Sequence, residues 1–401
     1  MPENNRAEPA QSLVRVAPGV LVVGKPLPWP VFDSQGEVLL AQGFVIQSDA
    51  QLEQLYKRGM FYPRQAENPD EEVQEEIAAE ERNPFADYRA LLKTLSRTYE
   101  AISGRHPDAR LKLLGLARLI DRICRQAPDA SLALVHLYSV EPTATEQSLF
   151  YAIVCHFAGR ELDMDEGRII VLMAAALSAN LALMPILDKL NASSNALNDQ
   201  QRLIIHRHPQ LAARALHEAG IENRLLLKIV MQHHERSDGS GYPERLTGDQ
   251  ILPEAHVMAL AEHYVALISR RGYRPRFSIP QARKAISDAA HNSPRPGLFR
   301  ALLNALTPYP PGALVRLANN EVAVITQRPQ HIRGHRAKAI TDPRGNRFAH
   351  GHERNTDRLD FNIRAVEEVD MMPPMDFQEL WDFDPSAQPG DQVVTTGEQG
   401  E

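Results

Sequence analysis

The sequence predicts a mainly α protein, with a helical bundle core, a small α+β domain before it and a small β-rich module after it. Three observations predict this class. Apolar residues recur at helical spacing from residue 85 to about residue 307. Ahead of them lies a short β-prone, turn-rich stretch, and beyond Pro308 short β-prone runs alternate with Asn, Asp, Gly and Pro. A chain of 401 residues, 43% hydrophobic and 24% charged, has the composition of a globular protein and the length for two or three domains.

Residues 1–64 read as the N-terminal α+β module. Val20 to Val23 is β-prone, and Pro26 and Pro28 break it. Asp33-Ser34-Gln35-Gly36 is a turn between Val31-Phe32 and Val38-Leu39-Leu40, which predicts a hairpin. Ser48-Asp49 stands before Leu52 and Leu55 as the cap of a helix. Residues 65–84 carry Glu67, Asp70, Glu71, Glu75 and further carboxylates, an acidic linker whose alternative reading is a docking segment.

The segment 85–130 is helical. Phe85, Tyr88, Leu92, Leu95, Tyr99 and Ile102 are spaced 3, 4, 3, 4, 3, and Leu113, Leu116, Ile120 and Ile123 repeat the rhythm after a break at 104–108. Such seams pack within a bundle or, alternatively, join a homodimer. Residues 131–307 form the main helical domain. Its stretch 168–183 is apolar nearly all round and belongs at the bundle centre. Residues 200–206 and 209–219 read as two helices, the second opening on Pro209. Residues 308–372 form the β-rich module, with strands at 314–317, 321–325 and 338–340, and 373–401 a disordered tail.

A net charge of -7 removes the bulk electrostatic case for a nucleic-acid polymer as partner. Cys124 and Cys155 have neither disulfide-framework nor zinc spacing and read as buried free thiols. The polar start of the chain shows no leader, and the apolar run at 169–176 is too short to span a bilayer, so the expected location is cytoplasmic.

The densest chemistry lies at His233-His234-Glu235-Arg236-Ser237-Asp238-Gly239-Ser240-Gly241-Tyr242-Pro243. Imidazole is a common transition-metal ligand, and glycines permit a tight turn. The metal-ligand candidates are His208, His233, His234, Asp238 and Glu262. On a helix the two adjacent histidines would point about 100° apart, holding two metals, or one metal while the other ring packs. His156, His217 and His256 stand in ordinary helical context and read as packing or surface residues. His256 and His263, seven apart on one helical face, offer a substitute ligand in the alternative reading.

The stretch 233–243 resembles the signature of the HD-GYP family, bacterial phosphodiesterases that hydrolyse cyclic di-GMP. The likeness extends to His208-Pro209, to Gly248-Asp249-Gln250-Ile251, to Ala259-Leu260-Ala261-Glu262-His263-Tyr264 and to Arg271-Gly272-Tyr273-Arg274-Pro275. Residues 12–62 and the region around 309–317 are also similar to modules that flank the domain in that family. The resemblance implies an HD-domain-like bundle holding two or three iron or manganese ions that activate a water. It also implies a loop of Arg236, Asp238, Gly239, Gly241, Tyr242 and Pro243 that meets ligand or partner, GGDEF domains among them. Against that pattern Gln147 stands where the early histidine is expected, and Leu177-Ser178-Ala179-Asn180-Leu181 stands where His-Asp-x-Gly-Lys is expected. What remains (His208, His233, His234 and Glu262) suits one iron or manganese ion rather than a two-metal centre. The expected protein is a catalytically inactive signalling relative that binds cyclic di-GMP or a protein; the alternative is a phosphodiesterase with a reduced site.

Overall fold

The structure, a computed structural model, describes residues 13–15, 27, 30–33, 36–48, 51, 55, 61–63, 82–291, 293–329, 334–368 and 375–383. The chain divides into two compact units, residues 1–80 with 395–401, and residues 81–394.

The first unit contains an antiparallel sheet of β1 (Leu13–Arg15), β2 (Val31–Phe32), β3 (Val38–Leu40) and β4 (Phe61–Pro63), in the order β1-β4-β2-β3. The predicted β2–β3 hairpin is present. Its turn is held by the Asp33 carboxylate, which accepts the Glu37 N–H at 2.9 Å, and Gly36 takes the positive φ the turn requires. Strand β4 carried no periodic signal. Ser48 Oγ accepts from the Gln51 N–H at 3.3 Å, as a helix cap does, although most of that helix lies outside the described residues. The run Val20 to Val23 and the acidic run to residue 81 lie outside them too.

The second unit opens with α1 (Pro84–Ser103), α2 (Ala109–Gln126), α3 (Pro128–Leu137), α4 (Ala144–Glu161) and α5 (Glu166–Ser178). Helices α4 and α5 are buried around most of their circumference and form the bundle centre, which the all-round apolar character of 168–183 predicts for α5. Both start on side-chain caps: Thr143 and Glu146 form a capping box, and Asp165 accepts from the Arg168 N–H. The stretch Glu166–Ala192 is long and apolar enough to cross a membrane by composition, yet 72% of its most apolar window is buried in this core. The seams of α1 and α2 join the same core, which spends them inside the chain. Cys124 and Cys155 are buried free thiols within it.

Next come α6 (Met184–Ala192), α7 (Asp199–Glu218), α8 (Arg224–Gln232), α9 (Pro253–Ile268), α10 (Ile279–His291) and α11 (Pro296–Leu306). The two helices expected at 200–206 and 209–219 are one, α7, with Pro209 inside it. Proline deprives the carbonyl four residues earlier of its donor, which normally breaks a helix. Here the His208 ring supplies Ile205 O with that donor.

A five-stranded antiparallel sheet follows, ordered β8-β7-β6-β5-β9: β5 (Leu314–Leu317), β6 (Val322–Gln327), β7 (Arg336–Thr341), β8 (Arg347–Asn355) and β9 (Ile363–Val366). Three of these strands were legible. Strand β8 was not, because six of its nine residues, Arg347, His350, His352, Glu353, Arg354 and Asn355, are polar and it lies at a sheet edge. Residues 375–383, expected within a disordered tail, instead form a short helix, α12 (Phe377–Leu380), with flanking aromatics. Phe377, Trp381 and Phe383 surround the ring of Phe85 at centroid distances of 5.9, 5.0 and 6.2 Å. Four apolar side chains repay the ordering of this short segment.

Candidate metal centre

Three elements bring the ligand candidates together. His208 lies in the middle of α7, His233 and His234 follow the last turn of α8, and Glu262 lies on α9. Asn198 and Gln201 form the capping box that starts α7, and Asn223 caps α8. One ligand atom from each of His208, His233 and His234 falls within 4.8 Å of the others, the one such cluster among the described residues. His208 and His233 are fully buried, and His234 is partly buried. Glu262 Oε2 lies 4.0 Å from His233 Nε2 and 3.8 Å from His234 Nε2.

The histidine tautomers follow from the backbone. His208 Nδ1 lies 2.6 Å from Ile205 O, and His233 Nδ1 lies 2.7 Å from Val230 O. A carbonyl oxygen only accepts, so Nδ1 carries the proton in both rings and Nε2 presents a bare lone pair. Burial, together with the neighbouring His233, lowers the His208 pKa to about 3, and burial also lowers that of His233 despite Glu262 beside it. Burial, and then the other two histidines, holds His234 well below its usual value. Neutral imidazoles with exposed Nε2 lone pairs are the form that binds metal. Glu262 Oε2 is buried without a hydrogen-bond partner, an orphaned carboxylate oxygen that a cation would satisfy. Three imidazoles and this oxygen fit one transition-metal ion.

They do not fit two. The last turn of α5, where the resemblance places a histidine and an aspartate, offers no ligand. Leu177 is packed in the core, and Ser178 Oγ donates backward to Ala174 O at 2.8 Å. Gln147 on α4 is buried and engaged: its Nε2 donates to Pro142 O, and its Oε1 accepts from Tyr151 OH and from Arg271. Asn180, just beyond α5, donates from Nδ2 to Glu262 Oε1 at 3.1 Å. Asn180 and Arg271 were missed as site residues, because nothing in their local pattern reports a contact made 82 or 124 residues away.

The loop after His234 is held from inside. The buried carboxylate of Glu235 accepts the N–H groups of Glu244 and Arg245 on Oε1 and of Leu246 on Oε2. Sequence reasoning gave Glu235 no separate role; the three donors make it the anchor of the loop. Gly241 runs so close to the preceding strand of chain that a Cβ would collide with the Arg236 backbone nitrogen. Gly239 has φ +77°, and the Tyr242-Pro243 peptide is cis. Tyr242 lies between two imidazoles, stacked on His206 at 4.5 Å and on His234 at 4.8 Å. Asp238 is exposed and accepts the Ser240 N–H at 2.9 Å, away from the cluster, and Arg236 is exposed. Neither His256 nor His263 joins the cluster; His256 Nε2 instead lies 3.5 Å from Ser237 Oγ. His156 is satisfied by Asp121 at 2.9 Å.

Residues 134–293 match the family model described as "HD domain". The chain is 28% identical over 242 residues to the cyclic di-GMP phosphodiesterase PA4108 of Pseudomonas aeruginosa, covering 58% of each chain. It is 30% identical over 141 residues to the cyclic di-GMP phosphodiesterase response regulator RpfG of Xanthomonas campestris pv. campestris, covering 34% of this chain and 37% of that one. It thus spans 58% and 37% of the length of these relatives. A solved HDGYP protein from Bdellovibrio bacteriovorus superposes with a TM-score of 0.45 at 14% identity, covering 74% of this chain and 99% of that chain. The HD-domain match over residues 134–293 encloses the loop of Glu235, Gly241 and Tyr242.

Proposed function

We propose that this protein is a cytoplasmic signalling member of the HD-GYP family that works by binding cyclic di-GMP or a protein partner, without hydrolysing the nucleotide. The observation that carries the reading is the ligand-free end of α5, where Leu177 is spent in the core and Ser178 turns back on its own helix. A two-metal hydrolytic site needs donors on both sides to hold two cations around an attacked phosphate. The donors here come from α7, α9 and the residues just after α8. The loop, by contrast, keeps its full set of supports in Glu235, Gly241 and the Tyr242 stack. A well-supported loop beside a site short of metal donors fits recognition better than turnover.

A second reading has its own support: three neutral imidazoles and an orphaned carboxylate oxygen converge as a metal site does, and the relatives above are named as cyclic di-GMP phosphodiesterases. One experiment separates the two. The purified chain is loaded with iron(II) or manganese(II), and cyclic di-GMP binding and hydrolysis are followed side by side. Binding without turnover is the expected result. Turnover that His233→Ala abolishes would replace the first reading by the second.

A further inference from the structure

We propose that the cluster is a single-ion site of four protein donors, His208, His233, His234 and Glu262, and that Asn180 is the positioning residue that makes Glu262 the fourth. This deepens the functional reading and shares its premise that α5 supplies no ligand.

A carboxylate has two oxygens, and either can turn toward a cation. The Asn180 amide removes that freedom. It is buried, and its Nδ2 donates to Glu262 Oε1 at 3.1 Å. That bond engages one oxygen and leaves Oε2, buried and without a hydrogen-bond partner, facing the imidazoles of His233 and His234. An amide N–H on the outer oxygen is the kind of support that orients a ligating carboxylate. Asn180 is neutral, so it adds no anionic donor to attract a second cation. It also stands in the short turn after α5, whose 3-10 continuation, Leu181–Leu183, starts immediately after it. The turn that lacks ligands therefore contributes a clamp instead. Four donors are the number a closed zinc site takes, and three imidazoles favour zinc, iron, cobalt or manganese over the alkaline earths.

The test uses the full chain, stripped with a chelator and titrated separately with cobalt(II) and manganese(II). Bound metal is counted after desalting, and the visible spectrum of the cobalt form is recorded. One ion per chain is expected at saturation. Asn180→Ala should keep that stoichiometry, weaken affinity by about 10- to 100-fold and shift the cobalt ligand-field bands. Glu262→Gln should weaken affinity at least as much. Metal-free melting curves report whether each variant folds; if the alanine variant does not, Asn180→Ser, whose hydroxyl can still donate, should show a smaller loss. Two ions per chain would overturn the inference, and so would an Asn180→Ala protein with unchanged affinity and spectrum. No nucleotide enters these readouts. One ion per chain together with hydrolysis of cyclic di-GMP would support this inference while removing the functional reading.

Discussion

His208 Nε2 and His233 Nε2 lie 3.2 Å apart with no proton between them, since each ring spends its N–H on a backbone carbonyl. Two lone pairs at that distance repel unless a cation lies between or beside them. Metal binding should therefore stabilise the folded chain. At a free metal concentration about 100 times the dissociation constant the gain is about 2.7 kcal/mol. Urea unfolding with and without manganese(II) measures it, and His233→Ala should erase the difference.

Pro209→Ala should separate stability from affinity. A proline inside a helix costs about 3 kcal/mol, so alanine should raise the melting temperature. The new N–H would then compete for Ile205 O, and the His208 ring would lose the bond that fixes its tautomer. Metal affinity should fall while stability rises. A parallel rise in both would show that the ring needs no such restraint.

Glu235→Ala leaves the N–H groups of Glu244, Arg245 and Leu246 without their acceptor. Hydrogen bonds to a charged group contribute about 1.5–3 kcal/mol, so a loss of at least that order is expected in chemical denaturation. Limited proteolysis should cut first between residues 236 and 246. Gly241→Ala should open the same loop by backbone collision.

Acid should weaken the fold through His136. Burial lowers its pKa to about 4; its Nδ1 donates to Leu132 O, and its Nε2 accepts from Tyr264 OH at 3.0 Å. The unfolded chain takes up the proton near pH 6.5, whereas the folded chain resists until about pH 4. Stability is thus complete above about pH 6.5 and falls as pH drops toward 4, by up to about 1.4 kcal/mol per unit for this group. His136→Asn should flatten that part of a urea-stability profile recorded from pH 7 to pH 4.

The bundle was legible because α1, α2 and α5 carry apolar residues at helical spacing dense enough to admit one reading, and the β2–β3 hairpin because its turn residues are unambiguous. Strand β8, polar at a sheet edge, and α12, four residues held by remote aromatics, had no local signal strong enough. The same division holds at the site. His208, His233, His234 and Glu262 could be named from residue type and motif. Asn180, Gln147 and Arg271 matter through contacts across the bundle, and no local spacing encodes those. Pro209 misled because helix-breaking chemistry was weighed without the side chain that compensates it.

The Tyr242 ring, flanked by His206 from α7 and by His234, has a mechanical consequence. Any molecule that tugs the loop outward must peel apart two aromatic faces, one of them a would-be metal ligand, before the loop can travel. Displacement of the loop and the setting of the His234 ring are thereby linked through one side chain.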